Sequence, residues 1–205
     1  MADYLEDPKI HYRKKYPTWL KVHKHRGFTY KDYLSWDDDI RVELINGMVY
    51  MMAGTSEWHQ STLGDLFFQL KQFLKDKPCK PYVAPFDVRL FPKPDLSDKT
   101  VVQPDILVIC DKSKIFKNGI NGGPELVIEI MSPSSEGHDM ITKKKLYEKA
   151  GVKEYLIVGK EQVFRYHLEN GKYIETKHNM TPGLKLNLTI FPDCILELVP
   201  DTEND

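Results

Sequence analysis

An α/β domain, with a central mixed sheet flanked by helices, is what this sequence predicts, and three observations carry that prediction. Residues 101–110 and 126–131 are short, near-continuous apolar runs, the pattern of strands buried on both faces. Residues 57–75 place Leu63, Leu66, Phe67, Leu70, Phe73 and Leu74 at helical spacing. A second helical stretch, 137–150, ends at Gly151, a residue suited to the position just past a helix. Two Asn-Gly pairs, Asn46-Gly47 and Asn170-Gly171, sit between apolar-rich segments as hairpin turns do. A length of 205 residues suits one domain with an extension.

Taken in order, residues 1–27 read as an extension, 28–200 as the domain and 201–205 as an acidic tail. Between Lys9 and Arg26 there is no acidic residue, while Lys9, Arg13, Lys14, Lys15, Lys21, Lys24 and Arg26 are basic, with Tyr12, Tyr16 and Trp19 among them. Such a segment suits contact with phosphates and bases, or equally an arm packed on the domain or on a second subunit. Thr29 is a plausible cap for a short helix over residues 30–36. Residues 42–51 form a hairpin, and the long helix over 57–75 is closed by Lys77-Pro78. Residues 82–91 read as one strand with Val88 and Leu90 on one face and Asp87 and Arg89 on the other. Residues 93–99 are a polar loop. After the second helix come a strand at 154–158, a hairpin over 162–177, and closing strands at 186–190 and 195–199. Two main helices, one on each face of the sheet, fit this order.

Composition excludes more than it assigns. The apolar fraction of 41% supports a sizeable core, and a formal net charge of −1 argues against disorder of the whole chain without indicating a partner. Cys79, Cys110 and Cys194 are far apart and form no metal-type pair, so they read as separate buried thiols in a reducing compartment. No apolar run approaches the about 20 residues that span a bilayer, and residues 1–8 lack a signal-like apolar core. The expected location is the cytoplasm, without a membrane partner.

Three acids interrupt apolar strands: Glu43 among Val42, Leu44 and Ile45; Asp105 before Ile106-Leu107-Val108-Ile109; and Glu129 within Leu126-Val127-Ile128-Glu129-Ile130-Met131. A carboxylate inside a buried strand is costly unless paired, protonated or metal-bound. A shared cation accounts for all three, and hard divalent cations take oxygen ligands. The alternative is that each acid faces solvent from its own strand. On the following helix Asp139, Lys143 and Tyr147 share a face, which offers Lys143 as a cationic partner or, more simply, as half of a surface ion pair with Asp139.

Gln103-Pro104-Asp105-Ile106 followed by Val127-Ile128-Glu129-Ile130-Met131-Ser132-Pro133-Ser134 resembles the PD-(D/E)XK nuclease pattern. More closely, the chain resembles a large family of bacterial proteins described as putative restriction endonucleases. That likeness runs from Thr29-Tyr30 through Glu43-Leu44-Ile45-Asn46-Gly47 and His59 to Asp139, Lys143, Tyr147 and Gly151-Val152-Lys153-Glu154-Tyr155. The resemblance implies a restriction-endonuclease-like core and Mg²⁺-dependent phosphodiester hydrolysis, with Mn²⁺ as a substitute. It implies Asp105 and Glu129 as metal ligands and Glu43 as an auxiliary acid. The superfamily's lysine, two residues after the glutamate, is Met131 here, and the family pattern points instead to Lys143. Gly159 stands where the family often has an acid.

The expectation is therefore an endonuclease acting on DNA, with Glu43, Asp105, Glu129 and Lys143 catalytic and the Ile130 carbonyl as a further metal ligand. His59 and Tyr147 are candidate substrate contacts, and His59, a lone His at a helix start, reads equally as a residue that orders the site or, more often for such a position, as a structural one. Cutting both strands of a duplex needs two sites, so a homodimer is expected. A nuclease-like module that binds nucleic acid or protein without cutting is the alternative, favoured by Met131. Glycoside hydrolysis lacks nearby aromatic platforms, and no P-loop pattern is present.

Overall fold

The computed structural model describes residues 27–36, 41–52, 54–131 and 139–201, without the side chains of residues 139 and 140. The basic extension before Gly27, the tail after residue 201 and Ser132-Pro133-Ser134 lie outside the described residues, and the expected Asp139–Lys143 pair lies outside the described side chains. Within them the chain runs α1 (Tyr30–Tyr33), β1 (Val42–Ile45), β2 (Met48–Met51), α2 (Glu57–Phe73), β3 (Lys80–Val83), β4 (Asp87–Arg89), β5 (Val101–Val102) and β6 (Ile106–Ile109). It continues through β7 (Ile115–Phe116), β8 (Gly119–Asn121), β9 (Leu126–Ile130), a π-helical turn (Asp139–Lys143), α3 (Lys144–Ala150) and β10 (Glu154–Val158). The last strands are β11 (Gln162–Glu169), β12 (Lys172–Asn179), β13 (Leu184–Asn187) and β14 (Ile195–Leu198).

The local signals behave as their chemistry requires. Thr29 and Asp32 cap α1 reciprocally, each side chain accepting a main-chain N–H of the other. Asn46 and Gly47 both have positive φ, 51° and 80°, as a two-residue hairpin turn needs. Ser56 caps α2 by accepting the His59 N–H. Gly151 takes the left-handed conformation that ends α3.

The mixed sheet is present, in the order β12-β11-β10-β9-β6-β3, with β9 and β10 parallel. A second six-stranded sheet, β2-β1-β5-β4-β8-β7, was not legible as a separate layer. The segments 82–91 and 101–110, each expected to be one strand, are each divided. The first becomes β3 and β4 around a cis Ala84–Pro85 bond, and the second becomes β5 and β6 around Gln103-Pro104. In both cases the two halves belong to different sheets. Proline has no N–H to give a ladder, so the chain leaves one sheet at that point and enters the other.

The two faces of the sheet containing β9 are covered differently. Ile106, Val108, Ile128, Ile130 and Leu156 pack under Leu66 and Leu70 of α2 and Leu74 just past its end. On the other face, Leu107, Val127, Tyr155 and Ile157 meet Leu146 and Tyr147 of α3 together with Ile45, Val88 and Val102 of the second sheet. One helix thus lies on each face, as the element order requires. A smaller cluster of Phe28, Tyr30, Leu44 and Val101 closes the outer face of the second sheet beneath α1.

The cysteine expectation is corrected. Cys79 and Cys110 form a disulfide, and Cys194 is a free, buried thiol. They are 31 residues apart in sequence, yet the antiparallel pairing of Lys80 with Ile109 sets them side by side. No helix among the described residues is long and apolar enough to cross a membrane.

Candidate active site

The singled-out acids meet where the chain crosses from one sheet to the other. Glu43 comes from β1, Asp105 from the crossing segment just before β6, and Glu129 from β9. Lys143 ties the two sheets together: its Nζ is 3.0 Å from Glu43 Oε1 and 3.0 Å from Glu129 Oε1. These three side chains are only 5–6% exposed, while that of Asp105 is 14% exposed and forms the more open edge. The solvent-facing alternative for Glu43 and Glu129 therefore does not apply.

Each of the two central carboxylates has one oxygen held by two donors. Glu129 Oε1 accepts from Lys143 Nζ and from the Tyr147 hydroxyl at 2.9 Å. Asp105 Oδ2 accepts from the Ile130 N–H at 2.8 Å and faces His59 Nε2 at 3.1 Å. A carboxylate only accepts, so Nε2 carries the proton. The Asp105 N–H points at Glu129 Oε2, 3.4 Å away, which places the second oxygen of Glu129 beside Asp105. In an extended residue N–H and C=O project to the same side of the strand, so the Ile130 carbonyl faces the Asp105 edge too.

Tyr147 is fully buried. Burial first, then the charges of Glu129 and Glu43, pushes its phenol well above the usual tyrosine range, so it remains a hydrogen-bond donor to Glu129. Its placement makes it a support for that carboxylate. His59, 4% exposed, is likewise turned onto Asp105. The sequence gave the helix face of both residues without their depth.

Three residues outside the expected set join the cluster. The Gln103 N–H donates to Glu43 Oε1 at 2.8 Å. The Gln103 side-chain nitrogen donates to Asp87 Oδ1 at 2.9 Å and to the Tyr33 hydroxyl at 3.2 Å, and Tyr33 itself donates to Asp87 at 2.9 Å. Burial and the Asp87 charge raise the Tyr33 phenol far above its ordinary value. The only trace of this network in the sequence is Gln103 beside Pro104. Glu154, in the stretch that matches the family pattern, is structural: fully buried, it accepts the main-chain N–H groups of Thr189 and Ile190 at 2.9 and 3.0 Å.

Among the described side chains, three carboxylates lie with one ammonium in a mostly buried cluster. That grouping, and the all-oxygen character of the donors, suits one hard divalent cation. No three His, Cys, Asp or Glu side chains among the described residues surround a common point. Two carboxylates completed by a carbonyl and waters are nevertheless a sufficient set for Mg²⁺, which keeps several waters beside one or two carboxylates.

Comparison with known proteins agrees with this architecture. A family model described as Uma2, putative restriction endonuclease, matches residues 30–198. An uncharacterized protein of Synechocystis, slr1290, is 26% identical over 162 residues, which cover 76% of this chain and 83% of that protein. The crystal structure of a putative nuclease belonging to DUF820 from Anabaena variabilis superposes with a TM-score of 0.65 at 15% identity, covering 80% of this chain and 91% of that one. At that identity the likeness is one of fold.

Proposed function

Because the chain belongs to the Uma2 family of putative restriction endonucleases, we propose that it is a Mg²⁺-dependent endonuclease that hydrolyses phosphodiester bonds in DNA. The observation that carries this reading is that Lys143 joins Glu43 of one sheet to Glu129 of the other, with Asp105 beside Glu129 at the more open edge.

Asp105 and Glu129 would hold the cation, with the Ile130 carbonyl as a third oxygen. When bound, Mg²⁺ supplies Lewis-acid activation of water and of the phosphoryl oxygen. The protein's share is positioning and charge. Ile130 N–H and His59 fix Asp105 through Oδ2, and Tyr147 and Lys143 fix Glu129 through Oε1. Lys143 delivers its positive charge from the helix and not from the strand, so Met131 does not leave the site without an ammonium. There it would orient the attacking water or offset charge developing on the phosphate. Glu43 holds Lys143 from the other sheet. The basic segment before Gly27 would contact the nucleic-acid backbone without reading sequence, and a homodimer would bring two sites to the two strands of a duplex.

Cleavage of supercoiled plasmid DNA by purified protein in Mg²⁺ tests the proposal. Asp105→Asn is expected to abolish cleavage while leaving the far-ultraviolet spectrum and melting profile intact. Undiminished cleavage by that variant would remove the core of the reading. Wild-type protein that binds DNA and Mg²⁺ but never cuts would favour the non-catalytic module.

A further inference from the structure

Glu43 and Asp87 lie on opposite faces of the second sheet, and Gln103 reaches both. The register pairs Val88 with Val102 and Leu44 with Val101. Val88 and Val102 face the core shared with α3, and Glu43 sits opposite Val102 by the same register. Asp87 is one residue out of step with Val88, so its side chain points to the other face, toward α1 and Tyr33. Gln103 sits just past the two-residue strand β5 and just before Pro104. Its N–H goes to the Glu43 carboxylate instead of to a strand partner, while its side chain is gripped on the far face by Asp87 and Tyr33.

We infer that Tyr33, Asp87 and Gln103 form a clamp that positions Glu43, and through Glu43 the Lys143 ammonium, by a contact passing through the sheet. This rests on the proposed roles of Glu43 and Lys143. The amide orientation is unambiguous: the atom 2.9 Å from a carboxylate oxygen must be the nitrogen. That orientation leaves Gln103 Oε1 buried with no hydrogen-bond partner among the described residues. Since β5 is so short and Pro104 offers no N–H, the side-chain grip is what sets where the Gln103 N–H points. None of the three residues is placed to touch substrate or cation, so they are positioning residues.

The test uses Gln103→Met and Asp87→Leu, alone and combined with Glu43→Gln, in the full chain. With plasmid DNA as substrate, each single variant is expected to lower kcat by about tenfold or more, the usual effect of losing an outer support, with KM and the Mg²⁺ affinity measured by calorimetry within twofold of wild type. Because the clamp acts through Glu43, adding either change to Glu43→Gln should cost no further activity. Losses that multiply in the double variants would overturn the proposal. A crystal structure of Gln103→Met gives a readout independent of turnover. The account expects Glu43 to move out of ion-pair distance of Lys143 while the Ile130–Asp105 hydrogen bond persists. An unmoved Glu43 would overturn the clamp whether or not the protein cuts DNA, whereas an inactive wild type with a displaced Glu43 in the variant would count against the nuclease reading alone.

Discussion

Replacing Lys143 with methionine asks whether one ammonium holds the site together before metal arrives. Methionine keeps most of the aliphatic stem and removes the charge. In the wild-type protein that charge lies 3.0 Å from two carboxylates whose side chains are 5–6% exposed. Removing one partner of a buried ion pair costs about 3–5 kcal/mol, because the remaining charge has no counter-ion. For a chain of this size each kcal/mol lowers Tm by roughly 2–4 °C, so metal-free Lys143→Met should melt about 6–20 °C below wild type in EDTA. Added Mg²⁺ should then stabilise the variant more than the wild type, since the cation replaces the missing positive charge. Saturation at a hundred times Kd contributes about 2.7 kcal/mol. Differential scanning calorimetry with and without Mg²⁺ measures both effects. A variant that melts within about 2 °C of wild type in EDTA, where the expected loss is several times larger, would refute the charge balance from which the metal site is argued.

Other parts of the structure give independent checks. Glu154→Ala should lower stability by about 2–3 kcal/mol by leaving the Thr189 and Ile190 N–H groups without acceptors; unchanged Mg²⁺ affinity in the same variant would separate this fold-holding acid from the site. Tyr147→Phe should weaken Mg²⁺ binding roughly tenfold, as loss of a support for a ligating carboxylate does, and a calorimetric Kd within twofold of wild type would count against that role. Burial is the first cause that raises the phenols of Tyr33, Tyr147, Tyr166 and Tyr173, with nearby carboxylates adding to it, and Tyr166 is pushed up to about 12. A folded value above the unfolded one means stability is complete below about pH 10 and falls as pH rises through the folded values. Tm should therefore hold between pH 8 and 9 and drop from about 10 upward; a flat profile to pH 11.5 would contradict it.

The sequence was most informative where a residue conflicted with its surroundings. Glu43 and Glu129 stand in strands buried along their whole length, so their presence signalled a shared purpose, and the structure brings both onto Lys143. The helix face that carries Lys143 and Tyr147 also followed from spacing. Depth did not: spacing places His59 and Tyr147 on their helices, and only the structure turns both inward onto carboxylates. The second sheet was hidden because its strands β7 and β8 are two and three residues long and include Gly119 and Asn121, too little pattern for any period. Asp87 reads as the polar side of its strand and Gln103 as part of an apolar run, and only the cover of α1 over that face makes them part of a buried network. The Cys79–Cys110 bond depends on strand register between distant segments, which spacing along the chain does not reveal.

A crystal soaked in Mn²⁺ and measured at a wavelength where manganese scatters anomalously addresses the central claim most directly. The account predicts an anomalous peak bonded to carboxylate oxygens of both Asp105 and Glu129 and to the Ile130 carbonyl, with Lys143 still in contact with Glu129. A peak elsewhere, or none at saturating Mn²⁺ with the Asp105 edge open to solvent, would contradict it.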